Sequence, residues 1–152
     1  ADIGYVVTLN EPNLAHVILN GLSKDVLAQI RAVVSKMNEA AARAVGSTQF
    51  VAGNSISVSD IDAFTNNLIA AHKAARAAIK AVRPNLPVGV SLAMPDDQAV
   101  GDNSIRDSIR AKSYGPWLEA AQGDEFLGVQ NATPIRKRTV ATSSETSGRD
   151  TG

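Results

Sequence analysis

Three short apolar runs stand far apart in this chain: Ile3 to Leu9, Val88 to Met94 (VGVSLAM) and Glu125 to Gln130 (EFLGVQ). In the first, β-forming residues fall on both faces rather than alternating with polar ones, as in strands covered on two sides. The stretches between the runs are far too long for hairpin turns and carry helical periodicity. Strand, long helical region, strand, helix, strand is an α/β order. Crossovers of that length imply parallel βα units and a parallel sheet.

The helical regions have readable limits. Leu14 to Val45 reads as helix in two pieces, broken at Asn20-Gly21. Ser23 is placed to cap the second piece, which sets Val26, Leu27, Ile30, Val33, Val34 and Met37 on one face, and Gly46 stops it. Residues 47–59 are small and polar and read as a loop, with a short extended piece at Phe50-Val51. Asp60 to Val82 has the clearest periodicity, with Ser59 or Asp60 as its cap and Arg83-Pro84-Asn85 as its end. Asp102 to Gln122 is a third helical region, where Gly115-Pro116 is expected to kink or restart the helix. From Pro134 the chain turns Ser/Thr-rich, which reads as a flexible polar tail over 134–152 behind one domain over 1–133.

Composition narrows the function. The 152 residues suit one domain with a real core. Fifteen Lys and Arg balance fifteen Asp and Glu, which gives no reason to expect nucleic acid or an anionic membrane as partner. No apolar run is long enough to span a bilayer. The first residues, Ala-Asp-Ile, do not begin a secretory signal, so a cytoplasmic protein is the simplest reading. Cysteine is absent, His16 and His72 lie in no metal-ligand spacing, and no glycine-rich phosphate loop follows a strand. Neither a metal nor an organic cofactor is expected.

The first run ends abruptly: GYVVTLNEPN puts a carboxylate between two amides at the exit of a buried strand and then locks the turn with Pro12. In parallel βα folds functional groups collect at the C-terminal ends of strands. Glu11 is therefore placed where chemistry takes place, with Asn10 beside it as a neutral donor. Such a pair suits sugar chemistry, the carboxyl protonating a glycosidic oxygen while the amide grips a neighbouring hydroxyl.

The same residues carry a resemblance. VVTLNEPN resembles the Thr-Phe/Leu-Asn-Glu-Pro segment of family 1 glycoside hydrolases, the β-glucosidase type. LIAAHKAARAAIKAVRPNLPVGVSLAM resembles that family's fourth helix and fifth strand, and GDEFLGVQN its sixth strand. The segments keep the family's order and spacing over most of residues 3–131. The resemblance implies a partial (β/α)8 TIM barrel, about strands four to six. It also implies that Glu11 is the acid/base of a retaining mechanism and that Asn10 contacts the sugar 2-hydroxyl. The family's nucleophile, in a Thr-Glu-Asn-Gly-like motif on strand seven, has no counterpart in this chain. The Tyr that normally supports it is matched by Ala132.

Other polar residues have plainer readings. Asp96 and Asp97 follow the second strand and are candidates for a second carboxylate, but Pro-Asp-Asp is turn chemistry, which is favoured. Glu125 enters the third strand at the opposite, stability end. His72 reads as a packed, hydrogen-bonded helix residue. His16 reads as a packing or capping residue near the site, and Trp117 as core. Asn131-Ala132-Thr133 fits a glycosylation sequon without a secretory signal to support its use. Arg136-Lys137-Arg138 is too short to argue nucleic-acid binding.

The expected function is hydrolysis of a β-glucoside or oligosaccharide, with Glu11 catalytic, Asn10, Gln130 and Asn131 binding substrate, and no metal. The chain as it stands is expected to be incomplete. The alternative is a non-catalytic partial barrel that binds sugar weakly or self-associates. Either way, three strands of a barrel expose edges that a second copy or the remainder of the barrel would cover.

Overall fold

A computed structural model describes residues 2–48, 50, 61–99, 101–102 and 104–131. The tail 134–152, the Ala132 position, the last two sequon residues, the extended piece at Val51 and the Ser59/Asp60 cap lie outside these residues.

Three strands form one parallel sheet in the order β1 (Val6–Asn10), β2 (Val88–Ala93), β3 (Phe126–Gln130). Between β1 and β2 run α1 (Leu14–Gly21), α2 (Lys24–Ala44) and α3 (Ile61–Val82); α4 (Arg106–Ala120) and a 3-10 turn over Ala121–Gly123 join β2 to β3. The break expected at Asn20-Gly21 falls just beyond it, at Leu22-Ser23, since both residues belong to α1; the cap at Ser23 is present, its hydroxyl accepting from the Val26 N–H. Gly46 ends α2 with a φ of 66°, the left-handed turn that glycine adopts without cost.

β2 is buried along its whole length, as its sequence requires. Val90 and Leu92 point to the helix side, where they pack with the fully buried Trp117 of α4, Leu68 and Ile69 of α3 and Leu9 of β1. A second cluster joins Val17 of α1 and Tyr114 of α4 to Ala93, with Leu14 and Met94 against it. The opposite face carries Gly89 and Ser91 of β2. Here Tyr5 packs edge-on against Phe126 at 5.5 Å, and a Cβ on Gly89 would lie 2.2 Å from the Phe126 carbonyl oxygen. Glycine at 89 is what lets β2 and Phe126 approach so closely.

Of the kink or restart expected at Gly115-Pro116, the restart does not occur: α4 runs unbroken from Arg106 to Ala120 with Pro116 inside it. Trp117 and Tyr114, both buried, hold the helix on the sheet from either side of the proline. The apolar face read for α2 is not buried as a stripe either. Val26, Val33 and Met37 are exposed, and Ala42 is the buried residue of that helix. Helical spacing gathers apolar residues on one side, but it takes a facing element to bury them. No described helix is long and apolar enough to cross a membrane.

Candidate functional site

The site is built from an irregularity in β1. Val7 pairs with Gly89, but Asn10 pairs with Ser91, so three steps along β1 match two along β2. The extra residue is a β-bulge, a device that re-aims the side chains beyond it. Thr8 and Leu9 occupy the bulge, and both serve the helix side. Leu9 joins the core, while the Thr8 hydroxyl lies 2.6 Å from His72 Nδ1 and donates to the Gly89 carbonyl at 3.2 Å. Asn10 thereby shares the face of Ser91, away from the helices.

Gln130, at the end of β3, closes this face. Its Nε2 donates to Asn10 Oδ1 and to the Ser91 hydroxyl, the latter at 3.0 Å. Three strands thus contribute one cluster of neutral hydrogen-bonding groups. Gly128, next to Ser91, keeps it open, because a Cβ there would lie 2.9 Å from the Ser91 side chain.

Glu11 follows Asn10 where the chain leaves the sheet. Its N–H donates to the Ser91 carbonyl at 2.7 Å, continuing the ladder by one bond. Its φ is +49°, a left-handed conformation that a non-glycine residue rarely adopts. Continued alternation would turn residue 11 to the helix side; the left-handed step releases it from that pattern. The side chain is half-buried. Pro12 is buried, and Asn13 behind it is completely so. The Asn13 carboxamide accepts from the Ala93 N–H at 2.9 Å and donates to the Ala93 carbonyl at 2.8 Å. Sequence reasoning gave Asn13 no role. The available signal was a proline with no N–H at the point where β2 still needs a neighbour, followed by a side chain that has both a donor and an acceptor.

The other candidates fall elsewhere. Asn131 follows Gln130 but lines a separate open cavity of about 540 Å3, shared with Met94, Asp96, Arg110, Tyr114, Leu118 and Val129. Asp97 is buried and accepts from the Tyr114 hydroxyl at 2.8 Å, while its main-chain carbonyl accepts from Arg110 at 3.1 Å. Burial, and then the Asp97 carboxylate, raise the Tyr114 pKa, so this phenol stays protonated. Asp96 is exposed and accepts from Gln98. Both fit the turn reading, since they fasten the loop after β2.

Glu125 sits at the opposite end of the sheet. It accepts from the Val88 N–H at 3.0 Å, and Lys80 and Arg76 lie within 2.8 Å and 2.9 Å of it. The Lys80 hydrogen bond, the Val88 N–H and Arg76 bring its pKa down to about 2. Deep beside it, His72 Nε2 lies 3.2 Å from Asp124 Oδ2, and Arg76 Nε lies 3.3 Å from Oδ1. Burial pushes the Asp124 carboxyl up, against the pull of His72 and Arg76. Thr8, His72 and Asp124 have the hydroxyl–imidazole–carboxylate composition of a hydrolytic triad. With His72 at 1% and the Asp124 side chain at 2% exposure, no substrate can reach it. It ties β1, α3 and the start of β3 together.

His16 lies apart from Asn10, against α3, with Nε2 3.2 Å from the Thr65 hydroxyl. Burial lowers its pKa, with Asp62 opposing and Lys112 adding to the effect. These groups border a further cavity of about 690 Å3 between α1, α3 and α4. No group of three or more metal-ligating side chains occurs among the described residues.

Known structures give this geometry a setting. The chain superposes on the apo structure of a β-glucosidase with a TM-score of 0.72 and 32% sequence identity, covering 87% of this chain and 31% of that one. It superposes on the crystal structure of a β-glycosidase with a TM-score of 0.64 and 35% identity, again over 87% of this chain and 31% of the other. No family model and no curated protein matches the sequence. The chain spans about 31% of the length of the solved chains it matches, and its sheet corresponds to part of a β-glycosidase barrel.

Proposed function

We propose that the chain is the acid/base-bearing segment of a retaining β-glycosidase of the family 1 type. The observation that carries the reading is the convergence of Asn10, Ser91 and Gln130 on one sheet face, with Glu11 released from the strand beside them. This lies within a fold shared with β-glucosidase and β-glycosidase structures.

In this reading the Glu11 carboxyl protonates the leaving glycosidic oxygen. As carboxylate it then takes a proton from the water that attacks the anomeric carbon. Asn10 and Gln130 hold sugar hydroxyls, while Asn131, which lines the separate cavity beside Tyr114, is left out of this role. Neutral amides suit this task because they can both donate to and accept from a hydroxyl. No metal or organic cofactor enters the chemistry.

Retention requires a second carboxylate about 5–5.5 Å from the first. The described acids near the strand ends have other partners: Asp97 holds Tyr114, Asp96 holds Gln98, and Glu125 lies at the far end of β3. Among the described residues no acid near the strand ends is free for that role, and in this reading the nucleophile is supplied by the remainder of a barrel or by an associated chain. Its substrate is a β-glucoside or a related oligosaccharide.

A second reading is favoured by the exposed apolar positions on the edge strands. Val7 is 37% exposed, Leu127 37% and Val129 57%. Uncovered strands of this kind seek partners, and a non-catalytic segment that self-associates would bury them.

The test is hydrolysis of an aryl β-glucoside by a sample of verified intact mass, with Glu11→Gln as control and size in solution measured in parallel. Activity that appears only with the complementary barrel segment and is lost in Glu11→Gln supports the catalytic reading. Activity unchanged in Glu11→Gln overturns it. A stable oligomer that stays inactive with the complement present favours the second reading.

A further inference from the structure

Resting on the acid/base reading of Glu11, we propose that Asn13 is its positioning residue, a side-chain clamp that replaces the missing end of β1 and fixes the left-handed turn at Glu11.

The main-chain groups of β2 that face β1 are satisfied in sequence. The Pro87 carbonyl accepts from the Val6 N–H at 2.9 Å, and the Ser91 carbonyl accepts from the Glu11 N–H at 2.7 Å. The next residue of β2 to face that side is Ala93, which is 4% exposed. Buried main-chain groups must be paired. A continuing strand would supply an N–H and a carbonyl here, but Pro12 has no N–H to give. Asn13 supplies both from one carboxamide, the side-chain equivalent of a peptide group, and is itself 0% exposed. β2 keeps its full complement of bonds although the main chain of β1 has already left the sheet.

The effect falls on Glu11. Upstream its own N–H is held by Ser91, and downstream Asn13 is held by Ala93. Its carbonyl accepts from the Leu14 N–H at 3.0 Å, and the Asn13 carbonyl accepts from Val17 at 3.2 Å as α1 begins. The two residues between Asn10 and Asn13 are anchored on both sides. A left-handed backbone at a residue with a Cβ is disfavoured, and it persists where its surroundings over-determine it. Of those anchors, the Asn13 clamp is the one made by a side chain, so it can be removed without altering the backbone.

The experiment uses the full chain. In Asn13→Ala, the backbone angle at Glu11 is read from its HN–Hα coupling and carbon shifts by NMR, and Ala93 amide exchange is followed alongside. Near-ultraviolet circular dichroism and Trp117 fluorescence report whether the core is intact. The expected result is a folded protein in which Glu11 loses its positive φ and the Ala93 amide exchanges about tenfold faster or more. Asn13→Asp, which keeps the acceptor for the Ala93 N–H and loses the donor, is expected to lie between the two. A folded Asn13→Ala in which Glu11 keeps its left-handed φ overturns the proposal. Failure of both variants to fold also overturns it, by making Asn13 a requirement of the fold as a whole. None of these readouts depends on hydrolysis. An inactive Glu11 would remove the catalytic reading and leave the clamp standing, whereas an unmoved Glu11 would remove the clamp whatever the activity.

Discussion

Gln130 reaches across the sheet to Asn10: one amide nitrogen donates both to the Asn10 carbonyl oxygen and to the hydroxyl of Ser91, though 120 positions separate the two amides. Both groups are partly exposed, and both retain capacity for further bonds. Asn10→Ala and Gln130→Ala should each change folding stability by less than about 0.5 kcal/mol, as surface substitutions do. If this face holds sugar hydroxyls, each should also weaken binding of a β-glucoside by about 2- to 12-fold, the equivalent of one neutral hydrogen bond. Ligand-observed NMR titration beside urea unfolding checks both. Unchanged binding in both variants would remove the face as a sugar site.

The buried Thr8–His72–Asp124 chain should behave in the opposite way. His72→Phe fills the space but leaves the Thr8 hydroxyl and the Asp124 carboxylate each short of a partner. Each buried group left unsatisfied costs about 1–3 kcal/mol, more where it is charged. Thr8 keeps the Gly89 carbonyl and Asp124 keeps Arg76, so a loss of about 1–3 kcal/mol is expected in urea unfolding, with no direct effect on sugar binding. A stability equal to that of the parent chain would show that the network contributes nothing.

Gly89→Ala should separate β2 from β3. The added carbon would meet a main-chain oxygen at 2.2 Å and the Phe126 ring at 2.9 Å. A backbone atom cannot swing aside as a flexible side chain can. The expected result is loss of cooperative unfolding, or a large drop in its midpoint followed by Trp117 fluorescence, since overpacking alone costs about 1–3 kcal/mol or more. Gly4→Ala is the control, because nothing lies within 4 Å of a Cβ there.

Acid should loosen the far end of the sheet. The Glu125 pKa is held down at about 2 by Lys80, by the Val88 N–H and by Arg76. A depressed carboxyl pKa contributes stability above the unfolded value, and that contribution is lost as pH falls through the folded one. Between about pH 5 and pH 2 the parent chain should therefore lose more stability than Glu125→Gln, whose contacts do not titrate. Parallel pH curves for the two proteins would mean that the Glu125 contacts carry no net stability.

The order of elements and the ends of most of them are legible in the residues alone. The apolar runs mark the strands and long crossovers require those strands to be parallel, but of the three only β2 is buried along its length. Ser23 and Gly46 act on their immediate neighbours, so their effects are local and legible. The sequence also put Asn10 and Glu11 at a strand end. Tertiary structure decided what lies opposite them. The bulge at Thr8 and Leu9 depends on β2 and α3, and it sets which face Asn10 shares with Ser91 and Gln130. Asn13 finds its partner 80 positions away. Whether the apolar side of α2 is buried depends on what packs against it, and Val33 and Met37 stay exposed. Periodicity reports what a segment can bury, whereas pairing across a sheet depends on register between segments distant in sequence, which no single segment encodes.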